Sequence, residues 1–281
     1  MMNKYENLAK AKDFMERAKK ALRPNESIDL IKNAANHFRL AQDWKKAAKT
    51  FLRAAELEKK SDIGWNVSST YNQAAKLQIK YDKTAAVQTL ELEVGSLCSK
   101  GRIYSAASVK EKIGEIYEVE KEYLLAAKSY QEAFDLYEMD ALTISSVELD
   151  MLLKAAELKV IAEASQHNIS EAIEIYRNVI FKYGEAYDED LDEIYFRLIM
   201  LLLANDDVDE IAEVMSEVLS ERCKLKKSKG HKCVEVLVKA FKRKDFKKFS
   251  DECRKYWKFN YKKPSKLWRT NMLNRIKENI E

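Results

Sequence analysis

One pattern of apolar residues recurs six times along this chain of 281 residues, with copies starting every 38 to 46 residues. With Trp44 as the first position, apolar side chains follow at Ala47, Ala48, Phe51, Ala54 and Ala55. That spacing marks one face of an α-helix. The same template runs from Tyr123 (Ala126, Ala127, Tyr130, Ala133, Phe134), from Ile169 (Ala172, Ile173, Tyr176, Val179, Ile180) and from Val208 (Ile211, Ala212, Met215, Val218, Leu219). Weaker copies start at Lys83 and Phe246. The residues just before the six starts are Asp43, Asp82, Glu122, Asn168, Asp207 and Asp245. Asp and Asn favour the helix N-cap, where the side-chain oxygen accepts an otherwise unpartnered backbone N–H. Asn168 and Glu171 have the spacing of a capping box.

Between these helices lie partner segments at 27–41, 64–80, 102–119, 142–165 and 188–204, each helical in pattern. The unit is therefore a helix–turn–helix of about 40 residues. Its alternating Ala and aromatic positions are similar to tetratricopeptide repeats, which stack into a right-handed solenoid. The chain holds only six Gly and two Pro, too few for the turns of a β-sandwich or barrel. The expected fold is all-α: a tetratricopeptide-like helical-hairpin solenoid over residues 1–221, capped at 3–22, and a C-terminal helical bundle over 222–281. The bundle contains helices at 230–243, 245–258 and 265–281.

Charge divides along the chain. Residues 222–281 hold 21 Lys/Arg against 6 Asp/Glu, whereas 1–221 hold 29 against 40. Glu185 to Glu221 carry 13 acids and a single base, Arg197. Such separation suits the steering of charged partners. Catalytic signatures are missing from the sequence. His37, His167 and His231 have no His or Cys at ligand spacing, and Cys98, Cys223, Cys233 and Cys253 read as reduced thiols. The run Asp188–Asp192 lacks the glycine and terminal Glu of a calcium loop. The longest apolar run, Leu198–Ala204, is seven residues, against about 20 for a membrane span. No signal peptide is visible. The expectation is a cytoplasmic protein that is not an enzyme and needs no cofactor or metal.

Four stretches, in order, carry a family resemblance: Asn33–Trp44 with Phe51–Leu57; Gly101–Ile103 with Ala106-Ala107 and Ile113–Glu118; Leu152–Ala156 with Ala172–Tyr176; and Leu267-Trp268 with Met272-Leu273 and Arg275–Lys277. Together they resemble the soluble NSF attachment protein (SNAP) family, closest to its alpha type, over roughly 25–281. The resemblance implies an adaptor that is monomeric when free. It would grip the SNARE four-helix bundle on a concave face and recruit the NSF-type hexameric ATPase through its C-terminal end. The SNARE-facing positions it implies are Arg39, Lys76, Arg102, Lys110, Lys112 and Lys154, and the ATPase-facing ones are Leu273, Arg275 and Lys277.

The sequence departs from the family pattern in places. Ser108 and Asp150 stand where alpha-type proteins carry lysines. Leu22–Glu26 is short and polar where they have an apolar membrane-inserting loop, leaving Leu22 and Phe14 as minor contributors. Lys242-Arg243-Lys244 stands where they carry acids that meet the ATPase, and the acidic tail is absent. The interleaved cations and aromatics of 242–259 also suit anionic lipid or RNA. Peripheral contact with an anionic membrane is therefore an expectation, whereas nucleic acid is not an expected partner. The alternatives to the adaptor are a generic helical-repeat scaffold and an anionic lipid- or RNA-binding protein using the basic C-terminal region.

Overall fold

The computed structural model describes residues 3–61, 67–140, 145–183, 191–221, 223–260 and 264–281. These residues form fourteen α-helices and one short 3-10 helix, Cys223–Lys227, and no strand. The α-helices are α1 (Lys4–Lys20), α2 (Pro24–Leu40), α3 (Trp44–Lys60), α4 (Val67–Gln78), α5 (Lys83–Cys98), α6 (Ile103–Val119), α7 (Tyr123–Asp140), α8 (Ser146–Ala162), α9 (Gln166–Tyr183), α10 (Leu191–Ala204), α11 (Val208–Glu221), α12 (Lys229–Lys242), α13 (Phe246–Phe259) and α14 (Lys266–Ile280). The all-α fold expected from the repeat is the one observed. Five of the six template starts, at 44, 83, 123, 208 and 246, are the first residues of helices. The expected Asp188–Asp190 segment and Gly184 lie outside the described residues.

The turns show why so little glycine is needed. At the α2–α3 junction, Gln42 takes a left-handed φ of 60°. The Asp43 N–H then reaches back to Phe38 O (2.9 Å), while the Asp43 carboxylate accepts the Lys46 N–H (3.2 Å). One residue thus closes one helix and caps the next. The α12–α13 turn repeats this arrangement with Lys244 at φ 58°, Asp245 N–H to Ala240 O (3.0 Å) and Lys248 N–H to the Asp245 carboxylate (3.0 Å). The same backbone closure joins α6 to α7 (Lys121 φ 63°, Glu122 N–H to Tyr117 O, 2.9 Å) and α10 to α11 (Asp206 φ 60°, Asp207 N–H to Leu202 O, 3.0 Å).

Asn168 departs from expectation. It lies inside the first turn of α9, which starts at Gln166, three residues before the template. Its amide donates to Lys159 O (3.3 Å) and Glu163 O (2.9 Å), so it satisfies the end of α8 rather than the start of α9. The hydroxyl at the start of α9 is Ser165, whose Oγ accepts the Asn168 N–H (3.4 Å).

The chain forms two compact units. One comprises Met1–Ile116 with Asp135–Asp140; the other comprises Tyr117–Phe134 with Ala141–Glu281. The first is a series of thin layers. Paired alanines at 34/35, 47/48, 54/55, 74/75 and 106/107 are all but inaccessible to solvent, and their small size lets helix axes approach closely. Its apolar core is accordingly divided into small clusters, such as Ala35, Phe38, Ala47, Phe51, Ala74 and Leu77.

The second unit has one continuous core centred on α10, in which every residue except Asp192 and Arg197 is buried. The apolar run Leu198–Ala204 is therefore a central helix wrapped on all sides. The basic segment after 222 belongs to this same core through Phe249, Cys253, Trp257, Trp268, Met272 and Ile276. The change of charge at 222 and the division by packing at 116/117 fall at different places, because exposed charges do not decide how apolar faces pack.

Polar contacts lock that core. The largely enclosed Arg197 guanidinium donates to Glu193 (2.9 Å) and Glu157 (3.4 Å). Glu193 also accepts the Tyr256 hydroxyl (3.2 Å) and the Asn260 amide. Glu157 accepts the Ser265 N–H (3.0 Å), and the Ser265 hydroxyl caps α14. Burial pushes the Glu193 carboxyl above its ordinary pKa, against the pull of Arg197. Two asparagines of α14 finish the job at helix C-termini, where carbonyls lack intrahelical partners. Asn271 donates to Val160 O and Ile161 O at the end of α8, and Asn279 donates to Leu203 O and Ala204 O at the end of α10.

Two stability measurements follow. Lys121→Gly removes the cost of a left-handed L-residue, and a urea melt is expected to show a gain of about 0.5–1 kcal/mol. Arg197→Ala leaves Glu157 and Glu193 without their cation, and the same assay is expected to show a loss of about 3–5 kcal/mol.

Candidate functional site

The six cations expected on a partner-binding face fall into distinct settings. Lys76 lies on α4, Arg102 immediately precedes α6 and Lys112 lies in its middle; all three are exposed. They act on one carboxylate, Glu93 of α5, which is only 6% exposed. Burial raises the Glu93 pKa, opposed by a hydrogen bond from the Asn72 amide (3.2 Å) and by the charges of Lys112, Lys76 and Arg102. The first unit thus gathers three exposed cations over one sunken acid.

Lys110 is different. Its ammonium lies 2.8 Å from both oxygens of Glu91, which ties α6 to α5. Arg39 is exposed in the last turn of α2, where its charge complements the helix C-terminus.

Lys154, in the second unit, is also engaged. It lies 2.8 Å from Glu118 and 4.7 Å from the Tyr130 ring centroid, and the Tyr130 hydroxyl donates to the same Glu118 (2.9 Å). Lys154 and Glu118 border a cavity of about 360 Å³ that also meets Asp150, Glu157, Tyr176, Glu193 and Arg197. Its lining holds more carboxylates than cations. The Tyr176 hydroxyl, fully buried there, has its pKa pushed up to about 12 by burial.

At the far end of the sequence, Leu273 packs half-buried against the core of the second unit. Arg275 pairs with Glu278 (3.1 Å) and Lys277 with Glu281 (3.3 Å). The Lys277 ammonium also lies 5.9 Å from the ring of Phe246, the first residue of α13. Lys242, Arg243 and Lys244 lie at the adjoining α12–α13 turn and are exposed. Of the two apolar side chains near the first junction, Leu22 is 96% exposed. Phe14 is not available to a membrane, since it stacks on His37 (5.4 Å between centroids) and packs against Ile31 and Ala18.

Several structural residues escaped the sequence reading. Asp192 accepts the Gly230 N–H (3.0 Å) and the Ser228 hydroxyl (2.5 Å), anchoring the start of α12. A Cβ at Gly230 would collide with that carboxylate. The periodicity could not reveal this pair, because 38 residues separate its members. Among the described residues, no group of three or more His, Cys, Asp or Glu is arranged to hold a metal ion, and no helix is long and apolar enough to cross a membrane.

Comparison with known proteins agrees with this architecture. The family model described as soluble NSF attachment protein, SNAP, matches residues 2–281. The alpha-soluble NSF attachment protein of Vitis vinifera is 22% identical, covering 98% of this chain and 96% of its own length. Its namesake from Saccharomyces cerevisiae is 28% identical (91% and 86%), and that from Homo sapiens 25% (91% and 84%). With a family model matched from the second residue to the last, this chain belongs to the soluble NSF attachment protein family.

Proposed function

We propose that this chain is an adaptor that binds assembled SNARE bundles and recruits an NSF-type ATPase to take them apart in vesicle fusion and intracellular protein transport. The observation that carries this reading is the family match over the whole span 2–281. It covers both the hairpin repeats and the C-terminal helices.

The mechanism is contact, with the ATPase supplying the work. Residues 1–221 hold the bundle and 222–281 face the ATPase, a functional division that follows charge rather than packing. The exposed trio Lys76, Arg102 and Lys112, with Arg39, offers positive charge to acidic faces of the bundle. Lys110 and Lys154, expected on the same face, are already paired with Glu91 and Glu118. Leu273, Arg275 and Lys277 form the ATPase end. The protein works in the cytoplasm as a monomer and reaches membranes peripherally, through the SNAREs it holds.

Turnover tests the reading directly. Mixing the chain with a SNARE bundle, the ATPase and ATP is expected to release the individual SNAREs; an intact bundle with cognate partners overturns the adaptor assignment. The face is tested separately by R102E/K112E. Bundle affinity is expected to fall about tenfold at low salt, and less as salt screens the contact, with helicity unchanged. Unchanged affinity would remove this trio from the interface.

A further inference from the structure

The cavity beside Lys154 lies wholly within the second unit and holds about 360 Å³, within the range of small-molecule sites, roughly 300–1,000 Å³. Helix α8 runs along it. Asp150, Leu153, Lys154, Glu157, Leu158 and Ile161 line it, a spacing that puts all six on one face of that helix. Burial increases along the lining. Asp150 is exposed and Glu118 half-buried, whereas Tyr176, Glu193 and Ile194 are buried. Asp150 thus marks the mouth. Glu157 follows seven residues later, about 10 Å along the helix axis.

One polar group of the lining is left over. Tyr176 is wholly inaccessible to solvent, and its hydroxyl has no hydrogen-bond partner among the described residues. Arg197 is near enough for its charge to act on the phenol, but its guanidinium is held by Glu193 and Glu157. A buried hydroxyl without a partner costs stability. This one borders a cavity in which a ligand can supply the partner.

The charges choose the ligand. Four carboxylates, Glu118, Asp150, Glu157 and Glu193, meet two cations, Lys154 and Arg197. Lys154 is engaged by Glu118 (2.8 Å) and by the Tyr130 ring. An anion entering here would meet an excess of its own sign, whereas a cation relieves that excess. Leu153, Leu158, Ile161 and Ile194 add apolar wall, which suits methylene groups rather than a compact hydrated ion. Carboxylates stand at both ends: Asp150 and Glu118 at the mouth, Glu157 and Glu193 beside Tyr176. A lysine side chain of a bound protein brings one charge and serves one end. A chain of methylenes with ammonium groups at intervals serves both.

We propose that this cavity binds a linear aliphatic polyamine. One ammonium donates to the Tyr176 hydroxyl beside Glu157, the methylenes lie on the apolar wall, and a second ammonium sits at Asp150 and Glu118. The site goes beyond the adaptor reading and stands independently of it.

Calorimetric titration of the full chain with spermidine tests the site. Tyr176→Phe removes one oxygen and is expected to weaken binding about tenfold, the loss of a hydrogen bond to a charged group. Its thermal midpoint is expected to stay level or rise, because the hydroxyl has no partner in the ligand-free fold. Asp150→Asn is expected to weaken binding severalfold, most clearly at low salt. Butylamine, with a single ammonium, is expected to bind at least about tenfold more weakly than spermidine. Spermidine affinity unchanged by Tyr176→Phe means attraction to the acidic surface elsewhere and overturns the proposal. So does butylamine binding as tightly as spermidine, or inorganic phosphate binding more tightly than either. A clear loss of stability in Tyr176→Phe would show that the hydroxyl serves the fold, and absence of spermidine binding at millimolar concentration would show that the cavity does not take polyamines; either result overturns the site and leaves the adaptor reading intact.

Discussion

Each helix leaves four N–H and four carbonyl groups without intrahelical partners, and the fourteen α-helices among the described residues have to satisfy them at their junctions. Here the solution is repeated: a left-handed residue followed by Asp or Glu, whose N–H closes the helix behind it. At Asp43 and Asp245 the carboxylate also opens the helix ahead. Joints this short keep the period of the repeat near 40 residues. Consecutive helices are forced side by side, and paired alanines let them come close. The rigidity of the presented charges follows from this geometry, since a cation on a pinned turn keeps its place.

Much of the fold was legible because helical periodicity is a local signal. The template at Trp44, Tyr123 and Val208 needs only its own dozen residues to show itself. Asn168 misled because Asn serves equally well at either end of a helix: its carbonyl oxygen accepts and its amide donates, and only the position of α8 decides between them. The candidate site was less legible. Lys76, Lys110 and Lys112 look alike in sequence, but Lys110 is consumed by Glu91 on the neighbouring helix. Pairings of this kind span 19 to 40 residues, as in Lys110–Glu91 and Arg197–Glu157, and no periodicity records them. Arg197 was visible as the lone base in an acidic stretch, but its burial was not.

Charge and packing organise the chain separately. The basic segment after 222 shares its core with the acidic α10–α11 region, so one packed unit carries both signs on its surface. Inside that unit the same separation is reversed: acids outnumber cations in the buried network, and the unpaired cations face outward at the α12–α13 turn. Opposite charges meet where they lock helices, and like charges gather on an exposed turn.

The asparagines of α14 carry a consequence for biosynthesis. Asn271 and Asn279 hold the C-terminal carbonyls of α8 and α10, yet both are translated after every helix they clamp. The first unit draws nearly all of its residues from the beginning of the chain and can settle while translation continues. The second has to wait with its most apolar helix, α10, incompletely covered until α14 has left the ribosome. Nascent chains of this protein therefore pass through a stage at which a buried helix is on offer to chaperones, and a ribosome stalled late in the message would strand it there.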